Sequence, residues 1–150
     1  AEGTKGCPKV TTSPQCPTTC DEDSARTFAK DKYTFKGTVY MYPSDEKSIR
    51  QAIMQHGPVE AAFSVYADFE NYVSGIYQHT SGAMLGGHAI RIVGWGTEAG
   101  VDYWKVANSW NPHWGEKGYF RIIRGANTQK GCGIESQVTA SGPGAVWQKV

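Results

Sequence analysis

At 150 residues and a formal net charge of +1, the chain is long enough for one domain with a real core, and it carries no basic excess to suggest nucleic acid or an acidic membrane as a partner. No run of roughly 18 apolar residues is present to make a transmembrane helix, and AEGTKGCPKV at the start has none of the marks of a signal peptide. Five Trp and eight Tyr suit a protein with an aromatic-lined cleft.

Residues 1–27 read as loop, rich in Pro, Thr and Lys and too poor in apolar residues to bury a core, so that crosslinks must hold them. Cys7, Cys16 and Cys20 fall in this stretch. Three is an odd number, so at least one stays free, pairs with Cys132, or pairs outside the chain. The Cys16 to Cys20 spacing is half of a zinc pattern, but no second pair completes a tetrahedron, and no metal or other cofactor is expected.

Lys32 to Tyr42 alternates as a strand whose register Gly37 breaks. Ser44 is placed to cap a helix, Asp45 and Glu46 complement its dipole, and Ile49, Ala52 and Ile53 form its buried stripe until Gly57 and Pro58 end it. Val59 to Val65 predicts an apolar strand, and Ala67 to Val73 a short helical turn. Three further strands follow, over 88–94, 102–108 and 118–124, separated by Gly-rich turns. The tail, 142–150, reads as a frayed end.

His88 is the most informative residue. It opens an apolar strand behind Gly86 and Gly87, which add no bulk, and Asn108 closes a second such strand twenty positions later. A His so placed can project its imidazole into a cleft, while an Asn oxygen fixes the ring's orientation and tautomer. Trp110, two residues beyond, offers an indole to cover that contact from water. His56, His79 and His113 lie at a helix end or in loop-like sequence and take the plain structural reading.

The text GGHAIRIVGWG (86–96) followed by YWKVANSWNPHWGEKGYFRI (103–122) resembles the papain-like cysteine peptidases, and HGPVEAAFSVYADFENYVSGIYQH (56–79) with CGIES (132–136) resembles their cathepsin B branch. This likeness runs from about Cys7 to Pro143. It implies an α+β papain-like fold, mainly its C-terminal β-barrel domain over 28–141 with one or two short helices. Residues 1–27 would end the disulfide-rich occluding-loop region and 142–150 would be a tail.

The same resemblance implies a lysosomal or secreted endopeptidase that admits peptidyl-dipeptidase action, with His88 and Asn108 catalytic. Ala62, Gly87 and Ala89 would line the S2 pocket with Gln137 at its far end, where cathepsin B commonly has Glu, and Val65, Leu85 and Trp110 would line the primed side. Val65 and Leu85 read equally well as core packing. Cys7, Cys16 and Cys20 would bridge to an upstream segment while Cys132 stays free. The family's nucleophile opens a helix within a CGSCW-like signature upstream of the His, and neither that signature nor the oxyanion Gln occurs here. The expected partners are therefore a disulfide-linked N-terminal segment or chain carrying the nucleophile, peptide or protein substrates, and cystatin-like inhibitors. Two other readings stay open, an inactive homologue that binds through the same cleft and a structural module.

Overall fold

A computed structural model describes residues 13–125 and 129–141, and the backbone of 146–149. Its described residues form two compact units, one holding residues up to Thr38 with the last strand, the other running from Val39 onward. Cys7 lies outside the described residues, as does most of the 142–150 tail.

In the first unit, residues 13–27 carry no helix or strand, and a single 3-10 turn, Phe28–Asp31, leads into β1, Tyr33–Lys36. The strand expected over 32–42 is two strands. Gly37, at a φ of 151°, breaks it, and β2 resumes at Val39–Tyr42 in the second unit.

The second unit continues with helix α1, Glu46–His56. The sequence pointed to Ser44 as its cap, but Asp45 takes that place: its backbone is extended and its Oδ1 accepts from Ser48 N–H at 2.8 Å. Ser44 instead donates its hydroxyl to the Ser136 carbonyl, 3.3 Å away. Ile49 and Ala52 are buried and Ile53 packs partly against the core, as the stripe requires. Gly57, at a φ of 85°, caps the end by donating to Ile53 O at 2.9 Å.

Strand β3, Val59–Tyr66, alternates strictly, sending Val59, Ala61, Phe63 and Val65 inward. A 3-10 turn at Phe69–Asn71 supplies the expected helical turn. The two-residue β4, Ile76–Tyr77, comes next, then β5, Met84–Glu98, and β6, Val101–Ala107. The remaining strands are β7, Tyr119–Ile123, β8, Val138–Ser141, and β9, Val146–Lys149. Strand β9 pairs antiparallel with β1 inside the first unit, so this part of the expected frayed tail is ordered strand.

The other seven strands form one sheet in the order β2-β8-β3-β5-β6-β7-β4, antiparallel except for β4 on β7. The fold is mostly sheet with one helix, as expected of the α+β class, but the barrel is not closed. Among the described residues β2 and β4 remain the two edges, the first stopping just before Pro43 and the second only two residues long.

Trp104 is fully buried in β6 and its indole N–H donates to Glu135 Oε1 at 2.8 Å, so neither polar group is orphaned. Arg124 is buried too, bonded to Glu46 on α1 at 2.7 Å and to Asp102 on β6 at 3.2 Å, which ties the helix to the sheet.

Candidate active site

His88 does not open its strand, as the sequence suggested, but lies within β5, directly opposite Phe63 of β3. Glycines rarely signal a strand, yet Gly86 and Gly87 continue the ladder against Val65 and Ser64. Gly86 holds a φ of 153° there, a conformation open to glycine. His88 shares the inward face with Ile90 and Ile92, whereas Gly87, Ala89 and Arg91 face the other way.

Asn108 follows β6 directly, anchored by its own N–H to the Gly118 carbonyl at 3.0 Å. Its Oδ1 lies 2.8 Å from His88 Nε2 and also accepts Ser109 N–H at 2.8 Å. Because that oxygen can only accept, Nε2 carries the proton and Nδ1 is left for chemistry. The amide Nδ2 is buried without a partner.

The imidazole lies between aromatic rings. Trp110 sits 5.4 Å from it, tilted by 31°, and Phe63 lies 6.0 Å away at 58°. Trp110 is braced in turn by Phe69 at 5.5 Å and by Trp114 at 5.0 Å, while Trp114 donates its indole N–H to Glu70 O at 3.2 Å. Sequence reading found Trp110 but missed Phe63 and Phe69, which carried no mark beyond being apolar.

A second polar cluster went unread. Asp68 Oδ1 accepts the Tyr77 hydroxyl at 2.7 Å and lies 3.1 Å from His79 Nδ1, and Oδ2 accepts Thr80 N–H at 2.9 Å and Ser81 N–H at 3.2 Å. Burial alone raises this carboxyl, but the bonds from Thr80, Tyr77, His79 and Ser81 outweigh it and hold it well below the usual carboxylate range. His79 stacks on Tyr66 at 3.7 Å and lies against the Asp68 carboxylate, so the loop-like reading of this residue misses a packed contact. Cys132, against the same cluster, is buried, and that burial together with the Asp68 charge pushes its thiol up to about 11. It is therefore no source of thiolate at neutral pH. Cys16 and Cys20 are free thiols in this structure.

Ala62, Gly87 and Gln137 line one recess of about 200 Å³, with Phe63 and Ser136 also in its wall. Ala89 is the register partner of Ala62 but lines a second recess, of about 320 Å³, beside Asn108. Val65 belongs to the core at 7% exposure, and Leu85 is 54% exposed. His56 is half-buried at the end of α1, and His113 is exposed.

The protein-family model described as papain family cysteine protease matches residues 4–141. The chain belongs to that family. Among its relatives, a gut-specific cysteine proteinase of Caenorhabditis elegans is 52% identical over 89% of this chain and 39% of its own length. A cathepsin B-like cysteine proteinase 3 of Ostertagia ostertagi is 47% identical over 89% of this chain and 75% of its own. The solved procathepsin B S9 of Trypanosoma congolense superposes with a TM-score of 0.76 at 37% identity, over 88% of this chain and 43% of that one. Against the first of these relatives and that structure, this papain-family chain spans about two fifths of the length. No helix among its described residues is long and apolar enough to cross a membrane.

Proposed function

We propose that these residues are the histidine- and asparagine-bearing portion of a cathepsin B-like cysteine endopeptidase, lysosomal or secreted, whose nucleophilic Cys is supplied by a segment outside the 150 residues. The observation that carries this reading is the 2.8 Å contact from His88 Nε2 to Asn108 Oδ1. Asn108 holds the proton on Nε2, so Nδ1 takes the proton of the incoming thiol. The thiolate attacks the scissile carbonyl carbon, the imidazolium returns its proton to the leaving amine, and an acyl-enzyme forms. Water then hydrolyses the acyl-enzyme with His88 acting as base.

None of the described cysteines suits the nucleophile's place. Cys132 is buried with a raised thiol, Cys16 precedes Pro17, and Cys20 precedes the acidic run from Asp21 to Asp23. Cys7, Cys16 and Cys20 are instead proposed to bridge to the nucleophile-bearing segment. Mass spectrometry of the secreted protein checks this, with a disulfide-linked peptide expected to be released on reduction. Three free thiols in the unreduced protein would reject it.

Ala62, Gly87 and Gln137, with Ala89 across the ladder from Ala62, are proposed to receive the P2 side chain, and cystatin-like inhibitors to occupy the same cleft. Gln137 offers a neutral amide. A buried guanidinium without a carboxylate partner loses about 3 to 5 kcal/mol, so the enzyme should cleave dipeptide amides with Phe at P2 far faster than those with Arg. The Gln137→Glu variant should narrow that gap. Comparable kcat/KM for the two substrates in the native enzyme would sink the subsite assignment. A full-length protein that cleaves neither and takes up no thiol-directed alkylating agent would be the inactive, binding homologue.

A further inference from the structure

Arg91 is the exception among the five arginines of the chain. Arg26 meets Asp31, Arg50 meets Glu46, Arg121 meets Glu98 and Glu116, and Arg124 meets Glu46 and Asp102. Arg91 is exposed and has no hydrogen bond or ion pair among the described residues. Glu60, its register partner on β3, is exposed as well, and the two do not pair.

Two recesses adjoin this guanidinium, one of about 320 Å³ and one of about 360 Å³, and both are lined by Arg91, Ala107, Asn108 and Ser109. Ala107, the register partner of Arg91 on β6, adds only a methyl and leaves the space open. The charge of the walls is one-sided. Arg91 and Lys117 are cationic, and no carboxylate lines either recess. Asn108 has its oxygen taken by His88 and by the Ser109 N–H, so what it has left is Nδ2, a buried donor without a partner.

This donor-rich face borders the catalytic pair. Arg91 stands three residues along β5 from His88, about 10 Å at the rise of a strand, on the same face as Gly87 and Ala89. A segment that brings a thiol to His88 has to come to rest within that distance, and charge complementarity requires it to present an acid here. Resting on the proposed peptidase reading, we propose that this face docks the segment bearing the nucleophile, and that an Asp or Glu side chain of that segment enters the recesses and pairs with Arg91. Arg91 is then a positioning residue. A guanidinium and a carboxylate meet through two parallel bonds, which fix orientation as well as distance, and so set where the thiol stands relative to Nδ1.

The test uses the full-length protein carrying Arg91→Lys, which keeps the charge and supplies an amine. A water-soluble carbodiimide joins that amine to a carboxylate in contact with it, and peptide mapping by mass spectrometry identifies the partner. The expected product is an amide between position 91 and an Asp or Glu of the segment outside the 150 residues. Linkage to Glu60, a covalent dimer of two copies, or no linkage overturns the proposal. As a second measurement, Arg91→Glu should lower kcat/KM by about 10-fold or more, since displacement of a reacting group by roughly 1 Å is costly. Changing the identified acid to Arg in that variant should restore most of the rate, and a loss that this exchange does not restore overturns the pairing. The linkage forms without turnover. A protein that gives it yet hydrolyses no peptide and takes up no thiol-directed alkylating agent overturns the peptidase reading instead.

Discussion

His88→Ala is expected to remove nearly all turnover from the full-length enzyme, by on the order of 10⁴-fold or more in kcat, because the thiolate loses both its counter-ion and its acid. Asn108→Ala should leave a rate roughly 10 to 100 times higher than that residue, since a group that only orients the base costs less than the base itself. The geometry gives the ordering its reason. Without the Asn108 oxygen, nothing described competes for the Nε2 proton, and the ring is free to settle in the other tautomer or to rotate. Steady-state kinetics of both variants with one peptide substrate decide the matter. Equal losses, or a greater loss at Asn108, would mean that the two roles are wrongly assigned.

Asp68→Asn should destabilise the fold by about 1 to 3 kcal/mol, the cost of leaving hydrogen-bond donors at the site without an acceptor, and lower Tm by several degrees. An amide cannot satisfy the Tyr77 hydroxyl, His79 and the two backbone N–H groups at once, because one of its two positions donates rather than accepts. The pH dependence follows from the sign of the shift. The native carboxyl is held below the unfolded value of about 3.9, so its contribution is complete above that pH and is lost only as pH falls through the lowered native value. The gap in Tm between wild type and variant should therefore persist undiminished at pH 5 and shrink only below about pH 4. Thermal melts across that range test this, and a gap already closed at pH 5 would show that Asp68 is not the charged anchor of residues 77–81.

Local signals gave away the helix and most strands. Helix α1 was legible because its apolar spacing and its Gly57 stop agree, and β3 because its alternation is strict. The cap slipped by one residue since Ser44 and Asp45 are both competent caps, and only the backbone decides between them. The start of β5 was hidden by its glycines, and β4 and β8 by being short.

At the site, His88, Asn108 and Trp110 were readable because each sits in a dense motif. Asp68 and His79 were not, since they stand eleven positions apart without periodicity and only the return of the chain brings them together. Phe63 was invisible for another reason. A buried phenylalanine in a strand looks the same whether or not its neighbour across the ladder is an imidazole.

The 86–92 stretch of β5 is framed by two irregularities, one at Val65/Tyr66 against β3 and one between Ile92 and Gly94 against β6. Between them the ladder is regular, and consecutive residues belong to different tasks: His88 turns to the aromatic brace, and Gly87 and Ala89 turn to the face proposed to meet substrate. On the proposed assignments, two-residue periodicity separates chemistry from selectivity within a single strand. Substitutions at 87 or 89 are free to reshape the preference of a descendant enzyme while its histidine stays in place. An insertion or deletion of one residue there has no such freedom, because it would exchange the two faces and abolish both properties together.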